Sequence, residues 1–178
     1  MKITGLGEAK VIDVGELVLP RRAGPPIKLV LRALPLGFND RSEEMFPRPT
    51  PPMTGYAREK SGTKGKSVLV RDPMTGRPLP MYDEADPAFQ AKRRERNQLS
   101  TTAMLHYAMG ADANIAWTSK RDTFASDVDF YKAVYKEIVD FGFSIGDFTM
   151  MVEFILDISN LRADDLKEAK EDFLSEMS

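Results

Sequence analysis

All twelve prolines of the chain fall between Pro20 and Pro87, and the 91 residues that follow contain none. Proline fixes φ and has no backbone N–H, so it is excluded from helix interiors and from central strands. The distribution therefore splits the chain into a front half of strands, turns and extended segments and a back half free to be helical.

With 178 residues, 42% of them hydrophobic, the chain can build a real core. Its small formal charge hides an asymmetry. Residues 1–87 carry 14 Lys and Arg against 11 Asp and Glu, net +3, whereas residues 88–178 carry 11 against 16, net −5. Phosphate-backbone affinity needs a concentrated excess of Lys and Arg, which an acidic chain lacks, so nucleic acid is an unfavoured partner. The absence of cysteine excludes disulfides, thiolate metal ligands and a cysteine nucleophile. Met1 to Glu8 lack the apolar run of a signal peptide. The stretch from Phe148 to Leu156, interrupted by Glu153, is far shorter than the roughly 20 residues that span a bilayer. A soluble protein that is not exported is expected.

In the front half, Val11, Ile12, Val14, Leu17, Val18 and Leu19 form short β-prone runs, and Pro20 to Pro26 supply a turn. Ile27, Leu29, Leu31 and Ala33 then alternate with Lys28 and Arg32, the period of a half-buried strand, until Pro35 stops it. A hairpin follows from this order. Phe46 to Tyr56 reads as polyproline II because its proline spacing disfavours a sheet interior. It is either a rigid connector or an arm whose Phe46, Met53 and Tyr56 dock onto a neighbour. Ala57 to Ser67, polar, basic and glycine-containing, is expected to be a mobile loop. Val68 to Met81 reads as a strand, an Asp72-Pro73 and Thr75-Gly76 turn, and a proline-limited edge segment.

The back half opens at Asp86-Pro87, a cap acceptor followed by proline at the first helical position. The first helix is expected to run to about Met109, stopping at Gly110, with its core stripe (Leu99, Ala103, Tyr107) only in the later turns. A second, starting near Ser126 or Asp127, aligns Phe130, Val134, Ile138 and Phe141. A third begins with a Ser144 to Asp147 capping box and, apolar over much of its circumference, is expected to be central. A fourth is expected near Ala163 to Phe173.

Chemistry is sparse. Gly65-Lys66-Ser67 lacks the earlier glycine of a phosphate loop and precedes a β-prone run rather than a helix. His106 is the only histidine, so a zinc site of the usual kind cannot be assembled, and a helix-surface or satisfied core histidine is the simpler reading. The pairs Asp127 with Asp129 and Asp164 with Asp165 sit at expected helix starts, where unpaired N–H groups stabilise carboxylates. No catalytic residue, cofactor or metal site is assigned, and no enzyme is expected. Lys92, Arg93, Arg94 and Arg96 form the one charge cluster with a partner-like character. It reads either as a solvated helix face or as the complement of an acidic surface, since eight acids against three bases follow from Glu153 onward.

The order of these pieces resembles the tail assembly chaperones of long-tailed bacteriophages. The residues that carry the likeness are Leu29 to Phe38, similar to a strand entering a Pro-Leu-Gly-Phe turn; the proline-rich Pro47 to Pro52; the Asp86 to Gln90 helix start; the Phe141 to Ser144 junction; and Leu166 to Phe173. The resemblance implies a non-catalytic protein of the infected bacterial cytoplasm that binds the tape measure protein and promotes assembly of tail-tube subunits. A permanent virion component (neck, tail-tube or decoration subunit) is the alternative, and in either case copies of the chain itself are expected partners.

The expected fold is α+β: a small β-hairpin part (residues 1–46), a proline-rich extended arm with a small hairpin (47–85), and a four-helix unit (86–178).

Overall fold

The computed structural model describes residues 14–22, 24–61 and 66–159. Among these the fold is α+β, with four α-helices and three two-stranded antiparallel sheets. The expected helix near residues 163–173 lies outside the described residues.

Strands β1 (Val14–Leu19) and β2 (Ile27–Arg32) form the hairpin, pairing Leu17 with Leu29 and Leu19 with Ile27. This register sends Leu17, Leu19, Leu29 and Leu31 to one buried face. That face does not form a part of its own. It joins a single core with Leu105 and Met109 of α2 (Pro87–Met109), Phe130, Val134 and Ile138 of α3 (Asp127–Asp140), and Met151 and Ile155 of α4 (Ile145–Ile158). The expectation of a helical unit separate from the hairpin is corrected accordingly. Helix α4 lies against β1 so closely that a Cβ on Gly15 would come within 2.7 Å of the Phe154 ring.

The helix starts follow their capping chemistry. Asp86 Oδ1 accepts from the Phe89 N–H at 2.7 Å, and Ser126 Oγ from the Asp129 N–H at 3.1 Å. Ser144 and Asp147 form a complete capping box. Helix α2 buries side chains only from Leu99 onward, as its late stripe requires. Helix α3 ends at Asp140 with Gly142 at φ +85°, a conformation glycine adopts without strain. The Phe141 expected on the α3 core stripe is instead exposed, stacked on Phe143 at 4.8 Å between centroids.

Helix α1 (Phe38–Met45) was not expected. Five of its eight residues are Asn, Asp, Arg or Glu, and Gly37 at its start, at φ +80°, supplies no side-chain cap. Packing fixes it: Phe38 and Phe46 join Leu99 and Ala103 of α2 in a second small cluster, and Ser42 Oγ hydrogen-bonds Ser100 Oγ at 2.7 Å.

The chain divides into two compact units, residues 48–96 and all the rest. The boundary therefore falls inside α2, ten residues past Asp86, rather than at the helix start. The chain leaves the larger unit just after Phe46 and re-enters it just before Leu99, two residues of one cluster. Residues 48–96 are thus an insertion whose two ends are anchored side by side, the arrangement in which inserted segments are best tolerated.

A candidate protein-binding arm

Within the insertion, β3 (Met53–Tyr56) pairs with β6 (Pro80–Tyr82), and β4 (Arg58–Ser61) pairs with β5 (Lys66–Leu69). Residues 58–61 and 66–69 are therefore paired strands, correcting the mobile loop expected over Ala57 to Ser67 at its two ends; residues 62–65 lie outside the described residues. Backbone hydrogen bonds knit the ribbons together: Ala57 N–H to Leu79 O at 2.8 Å, Val70 N–H to Ala57 O at 2.9 Å and Leu79 N–H to Val70 O at 3.0 Å. The expected hairpin turn forms on Asp72, whose Oδ1 accepts from the N–H groups of Met74 (2.7 Å) and Thr75 (3.0 Å). The Thr75 and Met74 N–H groups hold this carboxyl below its ordinary pKa. Gly76, at φ +66°, closes the turn. The segments on either side of that turn meet at an Arg71–Pro78 bridge flanked by the Leu79–Val70 and Asp72–Arg77 backbone hydrogen bonds, while β5 and β6 find their main partners in β4 and β3.

None of the described residues from 48 to 96 is buried. Every member of the two apolar clusters belongs to the larger unit. Among its described residues the insertion is therefore held by backbone pairing and turn chemistry, with no core of its own. Two-stranded ribbons in water are marginal on such terms. Its apolar side chains point outward instead: Met53, Tyr56, Met81 and Tyr82 each keep 48–50% of their surface exposed, and Met74 keeps 93%. Exposed apolar residues concentrated on one small element mark interaction surfaces.

The candidate partner-binding residues separate accordingly. Met53 and Tyr56 lie on β3, exposed, on one face with Tyr82 of β6, while Met81, opposite Gly55, is exposed on the other face. Lys92, Arg93 and Arg94 are exposed on the first turns of α2, and Arg96 is half-buried. Phe46 is corrected: it is 3% exposed, edge-on to Tyr131 at 5.6 Å, and anchors the larger unit instead of serving the arm. Redrawing the charge count at the observed boundaries sharpens the asymmetry. Residues 48–96 hold 11 Lys and Arg against 6 Asp and Glu, net +5, while the rest hold 14 against 21, net −7. Met81, Tyr82 and this boundary-dependent charge contrast were missed in the sequence; the dense Met and Tyr content around the prolines was the available signal.

His106, Asp127 and Asp129 have structural partners. His106 packs among Trp117 (4.9 Å between centroids), Phe130 (5.3 Å) and Tyr131 (5.9 Å). Burial lowers its pKa, Arg32 adds to the lowering, and Glu137 opposes it. Asp127 pairs with Arg121 Nε at 2.5 Å, and Asp129 accepts from the Ser126 hydroxyl. Asp164 and Asp165 lie outside the described residues. Among the described residues no three His, Asp or Glu side chains gather into a metal-binding group, and no helix is long and apolar enough to cross a membrane.

No protein-family model matches the chain, and no curated protein or solved structure is significantly similar to it.

Proposed function

We propose that the chain is a non-catalytic assembly protein that binds other proteins through the inserted arm, and that its role is that of a phage tail assembly chaperone. The observation that carries the binding role is the coreless insertion: residues 48–96 bury none of their described side chains yet present Met53, Tyr56 and Tyr82 on one face of the β3–β6 pair. A segment that cannot bury its apolar groups at home gains stability by burying them on a partner. The chaperone role rests on the sequence likeness of Leu29 to Phe38, the proline-rich run and the helix starts. It places the protein in the cytoplasm of an infected bacterium, with a tape measure protein and tail-tube subunits as clients.

The paired strands and the Asp72 turn favour a second reading, a permanent virion subunit whose pre-shaped arm grips a neighbour. Co-expression with a tape measure protein of a long-tailed phage separates the two. As a chaperone, the chain co-purifies with that protein, loses it when Met53, Tyr56 and Tyr82 are changed to serine, and is absent from purified particles. Stoichiometric presence in particles supports the virion subunit, and co-purification insensitive to the arm substitutions contradicts the arm as the binding element in both readings.

A further inference from the structure

The β1–β2 hairpin buries one face only. Leu17, Leu19, Leu29 and Leu31 enter the core, and α4 packs on that side, where a Cβ on Gly15 would meet Phe154 and Ile158. Alternation sends Val14, Glu16, Val18, Lys28 and Val30 to the opposite side. There Val14 and Val18 keep 47% and 44% of their surface exposed, and Lys28 reaches Glu16 at 3.3 Å with both side chains largely in solvent. A sheet face carrying valines calls for a second layer to bury it. The hairpin is also the one net-basic stretch of the larger unit. Residues 14–35 carry four Lys and Arg against one acid, net +3, whereas residues 1–13 carry two against two, residues 36–47 one against three and residues 97–159 four against nine.

Residues 160–178 complement this face in charge, pattern and position. They carry three Lys and Arg against six acids, net −3, and opposite charges attract. Leu166, Ala169 and Phe173 recur at i, i+3, i+7, the stripe of an amphipathic helix that needs an apolar surface. The chain also enters this tail beside the hairpin: Ser159 Oγ, at the end of α4, accepts from the Leu34 N–H at 2.9 Å, two residues past the end of β2. A helix over residues 163–173 measures about 16 Å, close to the roughly 20 Å of a strand the length of β1. We propose that residues 160–178 cover the outer face of their own hairpin, laying Leu166, Ala169 and Phe173 on Val14, Val18 and Val30. The hairpin then lies between α4 and the tail, and its outer face opens to another molecule only when the tail lifts. This contact lies within the larger unit and is independent of the arm's binding role.

Paramagnetic broadening in solution NMR tests it on the full-length chain. The sequence has no cysteine, so Ser175→Cys carries a nitroxide label at one position only. The amide resonances of Val14 to Val18 and of Lys28 to Arg32 are expected to broaden beyond detection. Adding Leu166→Ser/Phe173→Ser, which removes the tail's apolar stripe, or Val14→Ser/Val18→Ser, which removes the face it covers, is expected to abolish that broadening. Val14 and Val18 lie outside the core, and unchanged resonances of Val134 and Ile138 check that each variant keeps it. Mixing isotope-labelled chain lacking the nitroxide with spin-labelled chain lacking the isotope is expected to leave the hairpin resonances sharp, because each tail covers its own hairpin. Broadening centred on the arm amides of Ala57 and Leu79, broadening carried from one copy to another in the mixture, no broadening anywhere, or hairpin broadening that survives either variant overturns the proposal.

Discussion

Arg21 in the β1–β2 turn places Nη1 2.5 Å from Asp147 Oδ1 at the start of α4, while Asp147 Oδ2 accepts from the Ser144 N–H at 2.7 Å and the Ser144 hydroxyl at 2.8 Å. One carboxylate thus closes a capping box and ties the hairpin to a helix 126 residues away in sequence. Asp147 is 4% exposed. Burial pushes its pKa up, but Arg21 and the Ser144 donors outweigh that and hold it below the ordinary carboxylate range. Asp147→Asn should destabilise the protein by about 2 kcal/mol, the scale of hydrogen bonds to a charged group. Arg21→Ala should cost about as much, because it leaves a buried carboxylate without its cation. A double-mutant cycle by chemical denaturation should give a coupling of at least ~1 kcal/mol; additive effects would show the pair is independent.

Stability should fall in two stages as pH drops. His106 has a folded-state pKa below its ordinary value of 6.5, chiefly from burial. Below that ordinary value the unfolded chain takes up a proton that the native one refuses, so its contribution is lost on acidification, at up to about 1.4 kcal/mol per pH unit. Asp112 is lowered first by the Val30 N–H and then by the Asn114 N–H; Glu137 is pushed up by burial but lowered more by Ser119 and Thr118. Together with Asp147 these depressed carboxylates contribute stability that is present above their unfolded values near 4 and lost as pH falls through the folded ones. His106→Phe should flatten the first stage and leave the second. An unchanged profile in thermal unfolding between pH 5 and 7 would contradict the burial account of His106.

Gly15 is required by proximity, since an added Cβ meets Phe154 Cζ at 2.7 Å and Ile158 Cγ2 at 3.6 Å. Gly15→Ala should cost about 1–2 kcal/mol, the scale of overpacking a tight contact. Phe154→Leu, by vacating that space, should reduce the penalty of the alanine. A neutral Gly15→Ala in urea unfolding would show that the Phe154 ring is not held in place against β1.

Much of this fold is legible in the sequence because its signals are local. The hairpin alternation, the Asp86, Ser126 and Ser144 caps and the Gly110 and Gly142 stops all act within a few residues. What was not legible depends on contacts between distant segments. Asp112 accepts from Val30 N–H at 2.9 Å, joining a loop to a strand 82 residues away, and such bonds are what merge the hairpin and helices into one core. Helix α1 has a polar sequence and forms because Phe38 and Phe46 reach Leu99 and Ala103. Phe46 shows the ambiguity in one side chain: beside a proline run an aromatic reads equally as an arm contact or an arm's root, and only the α2 surface that covers it decides. For the arm itself, Met53 and Tyr56 were identifiable, but the β6 partners that place Met81 and Tyr82 beside them were not, since Pro78 and Pro80 argue against a strand.

Replacing residues 48–86 with a short Gly-Ser linker should leave the larger unit folded, because Phe46 and the later turns of α2 that the linker reconnects already belong to that unit. Its thermal midpoint should stay within a few degrees of the full chain. A cooperative loss of helical circular dichroism would show that the insertion is part of the core.

The central claim is that the insertion has backbone order without a core. Amide hydrogen exchange on the dilute chain measures this residue by residue. The amides of Ala57, Val70, Leu79 and Asp83, all hydrogen-bonded within the insertion, should exchange orders of magnitude faster than those of Val134, Ile138 and Ile155, and should slow when a partner binds. Equal protection of the two sets in the dilute chain would contradict the account.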